Sequence, residues 1–447
     1  MKNKFIKLLI LFILPTFVIA QEEDSLKLTV NQAMEYAVQN NTEMQNARMD
    51  VIIADKKVWE TTTVGLPQVS ASGTYTNYLS LATQLIPAEF FGGEPGEFAE
   101  VQFGTKHNFS GALTVSQLIF SGSYIVGLQA AKVYRSLSEQ NLNKTEIDTK
   151  ANIALTYYSV LMAEENVKIL SENQEYMKDL LHQTKALYET GMIEETEVDK
   201  LNITVISLEN TIKSIQRQID YLYLLLKIQL GVDREKEIYL TEKLSDILID
   251  INIDDLLNKK FSLEEHIDYK LIKAQEELMA LDLKRYKSEY LPTLSAFYNY
   301  QENAMRDQFN PLDGNEKWFE SSMLGFQLDV PIFNSGQKRS KVQQARLELE
   351  KVTNTKKMLE SNLYSMLLQK RNEFITGQET LENSKENMQI SKKVLDNISE
   401  KHKKGIASSM ELTQANTDYL TTVSEYTLSV VNLLNAKIEL EKILNEL

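Results

Sequence analysis

Hydrophobic residues recur at alternating steps of three and four along two segments of the chain, a spacing that predicts coiled-coil helices. In the first half the positions are Val198, Leu201, Val205, Leu208, Ile212, Ile215, Ile219, Leu222 and Leu226. The positions 214 residues further on are Leu412, Ala415, Tyr419, Thr422, Tyr426, Ser429, Leu433, Ala436 and Leu440. Because large and small residues alternate in the second set, we expect its helix to approach its neighbour more closely.

Another long helical pattern precedes each of these segments, from about Tyr124 to Tyr188 and from about Lys338 to Lys403. At about 1.5 Å per residue, each such helix would be on the order of 95 Å long. Helices of this length do not fit an ordinary globular domain. The pattern therefore predicts a long bundle or tube of helices.

Four shorter segments alternate between polar and apolar residues, as β-strands with two different faces do. They are Gln68 to Tyr78, about Phe109 to Ile119, about Thr293 to Tyr300 and about Leu324 to Val330. Strands of this length can cross a bilayer at a tilt. A soluble sheet with two unlike faces explains the alternation equally well. The proline- and glycine-containing segments 79–106 and 301–320 between paired strands are predicted to be surface loops.

The two halves of the chain repeat these features in the same order. Gly122 precedes Gly191 by 69 positions, and Gly336 precedes Gly405 by the same distance. This identical spacing predicts a duplicated structural unit. We assign residues 21–230 to a first repeat, 231–261 to an equatorial linker that forms a collar beside the helices, and 262–447 to a second repeat.

The N-terminus predicts a secretory signal peptide over residues 1–20. Lys2, Lys4 and Lys7 precede an apolar stretch that ends at the small residue Ala20. Pro15 and Thr16 interrupt that stretch, which is also shorter than a membrane-spanning helix requires. We therefore expect export and cleavage rather than a membrane anchor.

Charge and cysteine content restrict the function further. The chain has 48 basic and 63 acidic residues. Without the three lysines of the signal peptide its net charge would be −18, which argues against nucleic-acid binding. The absence of cysteine removes both disulfides and the usual site of an N-terminal lipid.

The order and spacing of several motifs resemble those of the TolC-like outer membrane factor family, whose members are outer membrane efflux proteins. The motifs are Leu28-Thr29-Val30-Asn31-Gln32-Ala33, Gly65-Leu66-Pro67-Gln68 and Val330-Pro331-Ile332-Phe333-Asn334-Ser335-Gly336. The resemblance spans nearly all of the mature chain and implies strand-to-helix turns at Gly122, Pro331 and Gly336. It also implies a location in the outer membrane, in contact with its lipid, and a long periplasmic extension.

Four strands are too few to close a membrane barrel, for which about eight are needed. Because open sheet edges are excluded from lipid, the chain must oligomerise if its strands span a membrane. The residue pattern leaves the number of subunits open. The family resemblance implies a homotrimer, in which a mainly α-helical fold combines a tube of coiled-coil helices with a twelve-stranded transmembrane β-barrel.

No residue pattern indicates catalysis, a cofactor or a metal site. The histidines are scattered, at His107, His182, His266 and His402, and no glycine-rich phosphate loop follows a strand. We interpret each histidine as a solvated or interface side chain, and we do not expect an enzyme.

The two glycine turns are candidate docking sites. Gly191 and Gly405 are predicted to end their helices in the left-handed conformation. The resemblance implies that these turns contact a periplasmic adaptor (membrane fusion protein), through Thr190, Gly191, Met192 and Ile193 and through Lys404, Gly405, Ile406 and Ala407. Members of the family often have valine where Thr190 and Lys404 stand. The alternative is that the glycines serve only as turn residues.

An acidic residue follows each turn glycine by six positions, Glu197 and Glu411. The resemblance implies a periplasmic gate in which Glu411 contributes to an acidic ring that favours cations. The second acidic position of the family's gate is Gln414 here, so a double ring is not predicted. Solvated helix faces explain both acids equally well.

The resemblance implies the exit duct of a tripartite efflux or type I secretion system, a passive channel coupled through the adaptor to an inner-membrane pump. The sequence does not distinguish between a proton-driven RND pump and an ATP-driven ABC pump. The alternative function is a periplasmic coiled-coil scaffold or adhesin stalk without a pore. If one helical hairpin opens the tube, the differences between the two halves of the chain indicate that it is the second hairpin.

Overall fold

The structure of the chain is a computed structural model that describes residues 25–249, 253–311, 313 and 316–447. The predicted signal peptide lies outside the described residues. The chain begins with strand β1 (Leu26–Leu28) and helices α1 (Val30–Asn40) and α2 (Thr42–Thr63). Thr29 starts α1 with a reciprocal capping box, in which the Gln32 N–H donates to the Thr29 hydroxyl and the Thr29 N–H donates to the Gln32 side chain.

The remaining elements are groups of strands followed by groups of helices. They are β2 (Gln68–Asn77), β3 (Thr83–Pro87), β4 (Phe98–Gln102), β5 (His107–Phe120), α3 (Gly122–Glu189), α4 (Glu195–Leu230), β6 (Ile238–Leu240), α5 (Leu244–Ile249), α6 (Ile253–Asn258), α7 (Ile267–Ser288), β7 (Thr293–Arg306), β8 (Phe319–Asp329), α8 (Gln337–Lys403) and α9 (Ser409–Leu444). Both predicted long helices are confirmed. The helices of the two halves match in length: α2 and α7 have 22 residues, α3 and α8 have 68 and 67, and α4 and α9 have 36 each.

The described residues form two compact units. The first contains the described part of Met1–Thr42, Thr149–Leu256 and Glu373–Glu439. Its core joins α3, α4, α8 and α9, and the predicted coiled-coil positions of α4 and α9 supply most of it. The core residues are Leu170, Met177, Leu180, Leu201, Val205, Leu208, Ile212, Leu395, Leu412, Ala415, Tyr419 and Val423.

Helix α9 approaches α8 closely at a glycine of α8. A Cβ atom on Gly377 of α8 would lie 3.3 Å from the Cα atom of Leu433. Hydroxyl pairs add polar contacts between the same helices, with 2.7 Å between Ser384 Oγ and Ser429 Oγ. The close approach therefore depends on Gly377 of α8, which lies against Leu433 of α9. The effect of the small residues of α9 on the helix spacing stays a prediction.

The second unit contains Glu43–Asp148, Leu257–Asn372 and Leu440–Leu447. Its main sheet is antiparallel with the order β2-β5-β7-β8. All four predicted strands are confirmed, but β5, β7 and β8 extend beyond the predicted limits. The prediction ended β7 near Tyr300, because the segment from Gln301 to Asn303 is polar on both faces. Backbone pairing with β5 nevertheless continues to Arg306.

The segments predicted as surface loops also contain strand. Residues 301–306 and Phe319–Glu320 belong to β7 and β8. Within residues 79–106, β3 and β4 form a small antiparallel hairpin around a short helical turn that ends at Gly92. The sequence missed this hairpin because its strands are five residues long and its turn is rich in glycine.

The segment predicted as a linker contains β6, α5 and α6. β6 pairs in parallel with β1, so Leu26 lies opposite Ile238. Because β1 falls within the predicted first repeat, that repeat and the linker share a sheet. The repeat and linker boundaries stay predictions.

None of the helices in the described part of the chain combines the length and apolar character needed to cross a membrane.

Candidate functional site

The two faces of the four-stranded sheet differ in polarity. One row across the strands joins Val69, Val115, Tyr298 and Leu324, and side chains of this face are apolar over most of its length. Val69 and Leu324 are largely exposed. Because side chains alternate along a strand, the neighbouring row, which joins Ser70, Thr114, Asn299 and Met323, points to the opposite face.

Hydrogen bonds connect the polar side chains of this opposite face across the strands. Asn299 Nδ2 donates to Thr114 Oγ1 at 2.9 Å, and Gln301 Nε2 donates to Ser110 Oγ at 2.9 Å. Some side chains of this face are apolar, among them Met323 and Phe297. The ring of Phe297 packs over Gly325, where a Cβ atom would lie 2.5 Å from the ring. The sheet therefore has one face suited to an apolar surrounding and one suited to water.

The sheet has two open edges in the described part of the chain. β2 pairs only with β5, and β8 pairs only with β7. The backbone N–H and C=O groups on the outer sides of β2 and β8 are thus available to further strands.

The strand-to-helix turns of the two halves differ in conformation. Gly122 is the first residue of α3, and a Cβ atom there would lie 2.8 Å from Leu291 Cδ1. Gly336 has a φ of 85° and precedes α8, while Pro331 lies just after β8. Gly122 is therefore required for close packing and Gly336 for its left-handed backbone.

The predicted glycine turns are confirmed, and they have the same conformation. Gly191 has a φ of 76° and Gly405 a φ of 71°. In the first turn the Met192 N–H donates to the Leu187 carbonyl at 3.0 Å, and in the second the Ile406 N–H donates to the Lys401 carbonyl at 2.9 Å. Both are Schellman motifs that satisfy the last carbonyls of α3 and α8.

The same turns present an apolar side chain to solvent. Met192 is 74% exposed and Ile406 73% exposed. The remaining residues predicted for docking, Thr190, Ile193, Lys404 and Ala407, lie in the same two turns. Each turn therefore places one large apolar side chain at the protein surface.

Glu197 is engaged by the neighbouring hairpin. The backbone N–H of Ser409 donates to Glu197 Oε2 at 2.7 Å, and Lys200 Nζ lies 2.7 Å from Glu197 Oε1. The hydrogen bonds from Lys200 and Ser409 lower the pKa of Glu197 despite partial burial. Its carboxylate therefore caps α9 from the first turn of α4.

Glu411 and Gln414 are exposed on α9. Glu411 forms a capping box with Ser408, whose N–H donates to Glu411 Oε2 at 2.9 Å, while the Glu411 N–H donates to Ser408 Oγ at 3.3 Å. Gln414 Nε2 donates to Asp418 Oδ1 at 2.8 Å. The spacing of Ser408 and Glu411 is a sequence signature of a helix start, and it could have predicted this box.

Two histidines depart from the prediction of solvated or interface side chains. His266 is buried and accepts a hydrogen bond from the Asp268 N–H at the start of α7. His402 is buried and lies 3.0 Å from Ser409 Oγ. Among the described residues, no three His, Cys, Asp or Glu side chains form a group that could hold a metal ion.

Comparison with known proteins agrees with this arrangement. Residues 33–221 and 284–446 match the model of the outer membrane efflux protein family. No curated protein sequence matches the chain.

Three solved structures illustrate the similarity of fold. The chain is similar to CusC, with a TM-score of 0.74, 15% identity, and 93% of this chain and 92% of that chain covered. For the CmeC outer membrane channel of Campylobacter jejuni the TM-score is 0.72 and the identity 16%, with 93% and 85% covered. For the outer membrane protein VceC of Vibrio cholerae the TM-score is 0.70 and the identity 13%, with 93% of this chain and 95% of that chain covered. Since the family model matches more than half of its residues, the chain belongs to the outer membrane efflux protein family.

Proposed function

We propose that this chain forms the exit duct of a tripartite export system, in which three copies join their sheets into one barrel and the helical hairpins contact a periplasmic adaptor. The outer-membrane location and the efflux-channel class follow from family membership. The trimer, the adaptor and the inner-membrane pump are the proposed part. The duct carries out no chemistry, and the pump supplies the energy.

One observation supports the proposal most strongly: the sheet has unlike faces and two open edges. An apolar face lies against lipid and a polar face against water only if the sheet separates the two. Open edges cannot remain in lipid, so β2 of one copy must pair with β8 of the next. Cyclic symmetry then closes the barrel. Three copies of the four-stranded sheet give twelve strands.

The glycine turns support the adaptor contact. Both turns repeat the same backbone geometry and expose Met192 or Ile406 at the same position. An adaptor could therefore meet the two turns of a protomer through similar contacts. Thr190 and Lys404 differ at the position before the glycine, and this difference would let the adaptor distinguish the hairpins.

Glu411 supports a cation-selective constriction at the periplasmic end. Its side chain is exposed, whereas Glu197 is held by Ser409 and Lys200. Of the two predicted gate acids, Glu411 is thus the better candidate for a ring that faces the channel. The inner-membrane pump can belong to either the RND or the ABC class.

Disulfide crosslinking tests the barrel, because the chain contains no native cysteine. Single cysteines at exposed positions of β2 and β8, combined in pairs, should give covalent oligomers of up to three chains in outer membranes. Pairs on the central strands β5 and β7 serve as the control and should crosslink only within a chain. Covalent oligomers from the control pairs, or none from any edge pair, would contradict the proposal.

A second experiment tests the adaptor contact. A photo-reactive residue at Met192 or Ile406 should crosslink to the periplasmic adaptor expressed with this chain, and one at exposed Leu85 on β3 should not. In the chain without a photo-reactive residue, deletion of both turns should abolish recovery of the adaptor with this chain. Retention of the adaptor after both deletions would reject the docking role.

A further inference from the structure

A buried pair of asparagines joins the two helical hairpins of one chain. Asn173 on α3 donates a hydrogen bond to Asn416 on α9 at 2.9 Å, and both side chains are almost fully buried. Apolar residues of the surrounding core extend the contact along both helices. They are Tyr176 and Leu180 on α3 and Leu420 on α9.

The equivalent positions of the other repeat carry the same pair of residue types. Asn387 on α8 lies 214 residues after Asn173, and Asn416 lies 214 residues after Asn202 on α4. The same offset relates the two turn glycines. Apolar residues also stand at the equivalents of the three apolar neighbours: Ile390 for Tyr176, Val394 for Leu180 and Ile206 for Leu420.

These equivalent residues are exposed in a single chain. Asn202 and Asn387 are both exposed, and so are Ile206 and Ile390. Val394 is 48% exposed, whereas its equivalent Leu180 is 1% exposed. One side of α8 and one side of α4 therefore carry the residues of a hairpin contact without a hairpin against them in the described part of the chain.

We propose that the asparagine contact is repeated between copies of the chain, so that Asn387 of one copy meets Asn202 of the next. The inference rests on the proposed trimer and identifies residues that join its helices. The two uncovered sides belong to different helices, so copies join head to tail, and cyclic closure covers every such side. Three contacts within chains then alternate with three contacts between chains.

The strand order supports the same succession of copies. Within the chain β5, the last main strand of the first repeat, pairs with β7, the first main strand of the second repeat. The equivalent pairing between copies joins β8 to β2 of the next chain. This is the pairing proposed for the open edges of the sheet. In both cases the second repeat of one copy meets the first repeat of the next.

Asparagine is suited to a contact that must form in one register. A buried asparagine in a coiled coil selects one register and one oligomeric state at a cost in stability. Before assembly the exposed amides of Asn202 and Asn387 can bond to water. The pair therefore gives specificity to a surface whose other members, Ile206, Ile390 and Val394, are apolar.

Thiol crosslinking tests the contact, because the chain contains no native cysteine. The variant with both Asn202→Cys and Asn387→Cys is treated in outer membranes with dibromobimane, which joins thiols over a short distance. We expect covalent oligomers of up to three chains. Each single variant should give none, because neither residue meets its own copy in a head-to-tail contact.

Gln389 provides the matched control position. It is exposed on α8, and its equivalent on α3, Glu175, is exposed as well, outside the hairpin contact. The variant with Asn202→Cys and Gln389→Cys should therefore give no covalent oligomer. Crosslinking as efficient as that of the Asn202 and Asn387 pair would overturn the proposal.

Charge pairs give a second test that needs no crosslinker. Asn202→Asp with Asn387→Asp should dissociate at a lower temperature than Asn202→Asp with Asn387→Lys, because like charges repel and opposite charges attract across the contact. The same two charges at Gln389 should give a smaller difference. Equal dissociation temperatures for the two charge pairs at Asn387 would overturn the proposal.

Heat-dependent migration of the oligomer separates this inference from the proposed function. An oligomer that dissociates on heating but is not crosslinked through Asn202 and Asn387 would overturn the inference and leave the exit duct intact. A chain that forms no oligomer would contradict both.

Discussion

Asn173 Nδ2 donates a hydrogen bond to Asn416 Oδ1 at 2.9 Å, and this contact joins α3 to α9 inside an apolar core. Both side chains are almost fully buried. The remaining polar atoms of the pair, Asn173 Oδ1 and Asn416 Nδ2, have no hydrogen-bond partner. Buried polar groups of this kind reduce stability relative to apolar residues and favour one helix register over others.

The first prediction concerns this pair. Asn416→Leu should lower the free energy of unfolding by about 1–3 kcal/mol, because it leaves the amide of Asn173 buried without its partner. Adding Asn173→Leu should recover most of the loss, since two apolar residues then face each other. Urea denaturation of the single and double variants measures the coupling. Additive losses would show that the two amides do not depend on each other.

The second prediction compares two glycines. Gly231 ends α4 with a φ of 70°, and a Cβ atom there would lie 2.4 Å from the carbonyl oxygen of Asn40. Gly231→Ala should therefore destabilise the fold by about 2 kcal/mol or more. Gly127 lies inside α3, where a Cβ atom would meet nothing within 4 Å. Gly127→Ala should therefore raise the free energy of unfolding by about 0.5–1 kcal/mol.

Thermal unfolding of both glycine variants under the same conditions gives the sign of each change. Equal effects at the two sites would mean that neither the close backbone contact at Gly231 nor the helical setting of Gly127 determines the outcome.

The third prediction addresses the gate. Glu411→Gln keeps the capping box, because glutamine also serves at that position, and it removes only the charge. If Glu411 lines the constriction, the ratio of cation to anion permeability should fall roughly two- to fivefold, since one charge nearby in water contributes about 1 kcal/mol. Glu197→Gln is the control and should leave selectivity unchanged, because Glu197 is bound to Ser409 and Lys200.

The fourth prediction is a pH dependence of stability from His266. Burial lowers the pKa of His266, and the neutral ring caps α7 by accepting from the Asp268 N–H. The folded state thus excludes a proton that the unfolded chain binds, so stability falls as the pH drops below about 6.5. His266→Asn should keep the cap and reduce the loss between pH 7 and pH 5. Urea titrations at several pH values measure the slope of the free energy of unfolding against pH. The same slope in His266→Asn as in the native chain would contradict the assignment.

The sequence predicted regular elements well wherever a single periodicity held over many residues. The seam from Leu201 to Leu226 and the turns at Gly191 and Gly405 follow from local spacing and backbone preference. The extension of β7 to Arg306 did not follow, because it begins with three polar residues, Gln301 to Asn303, and is held by pairing with β5. The parallel pair β1 and β6 joins residues more than 200 positions apart and leaves no local signal.

The same distinction separates the two candidate gate acids. The capping role of Glu411 depends on Ser408, three residues before it, and can be read from the sequence. The role of Glu197 depends on Ser409, which lies 212 residues away in another hairpin. Only the packing of α4 beside α9 brings those groups together, so identical spacing from the turn glycine gave two acids with different partners.

The conductance of the purified protein in planar lipid bilayers tests the central claim most directly. Protein extracted from outer membranes as an oligomer that dissociates on heating should give discrete, stable current steps, and Glu411→Gln should change their ion selectivity. An oligomer that inserts without conducting, or a chain recovered only as a soluble periplasmic rod, would contradict an exit duct.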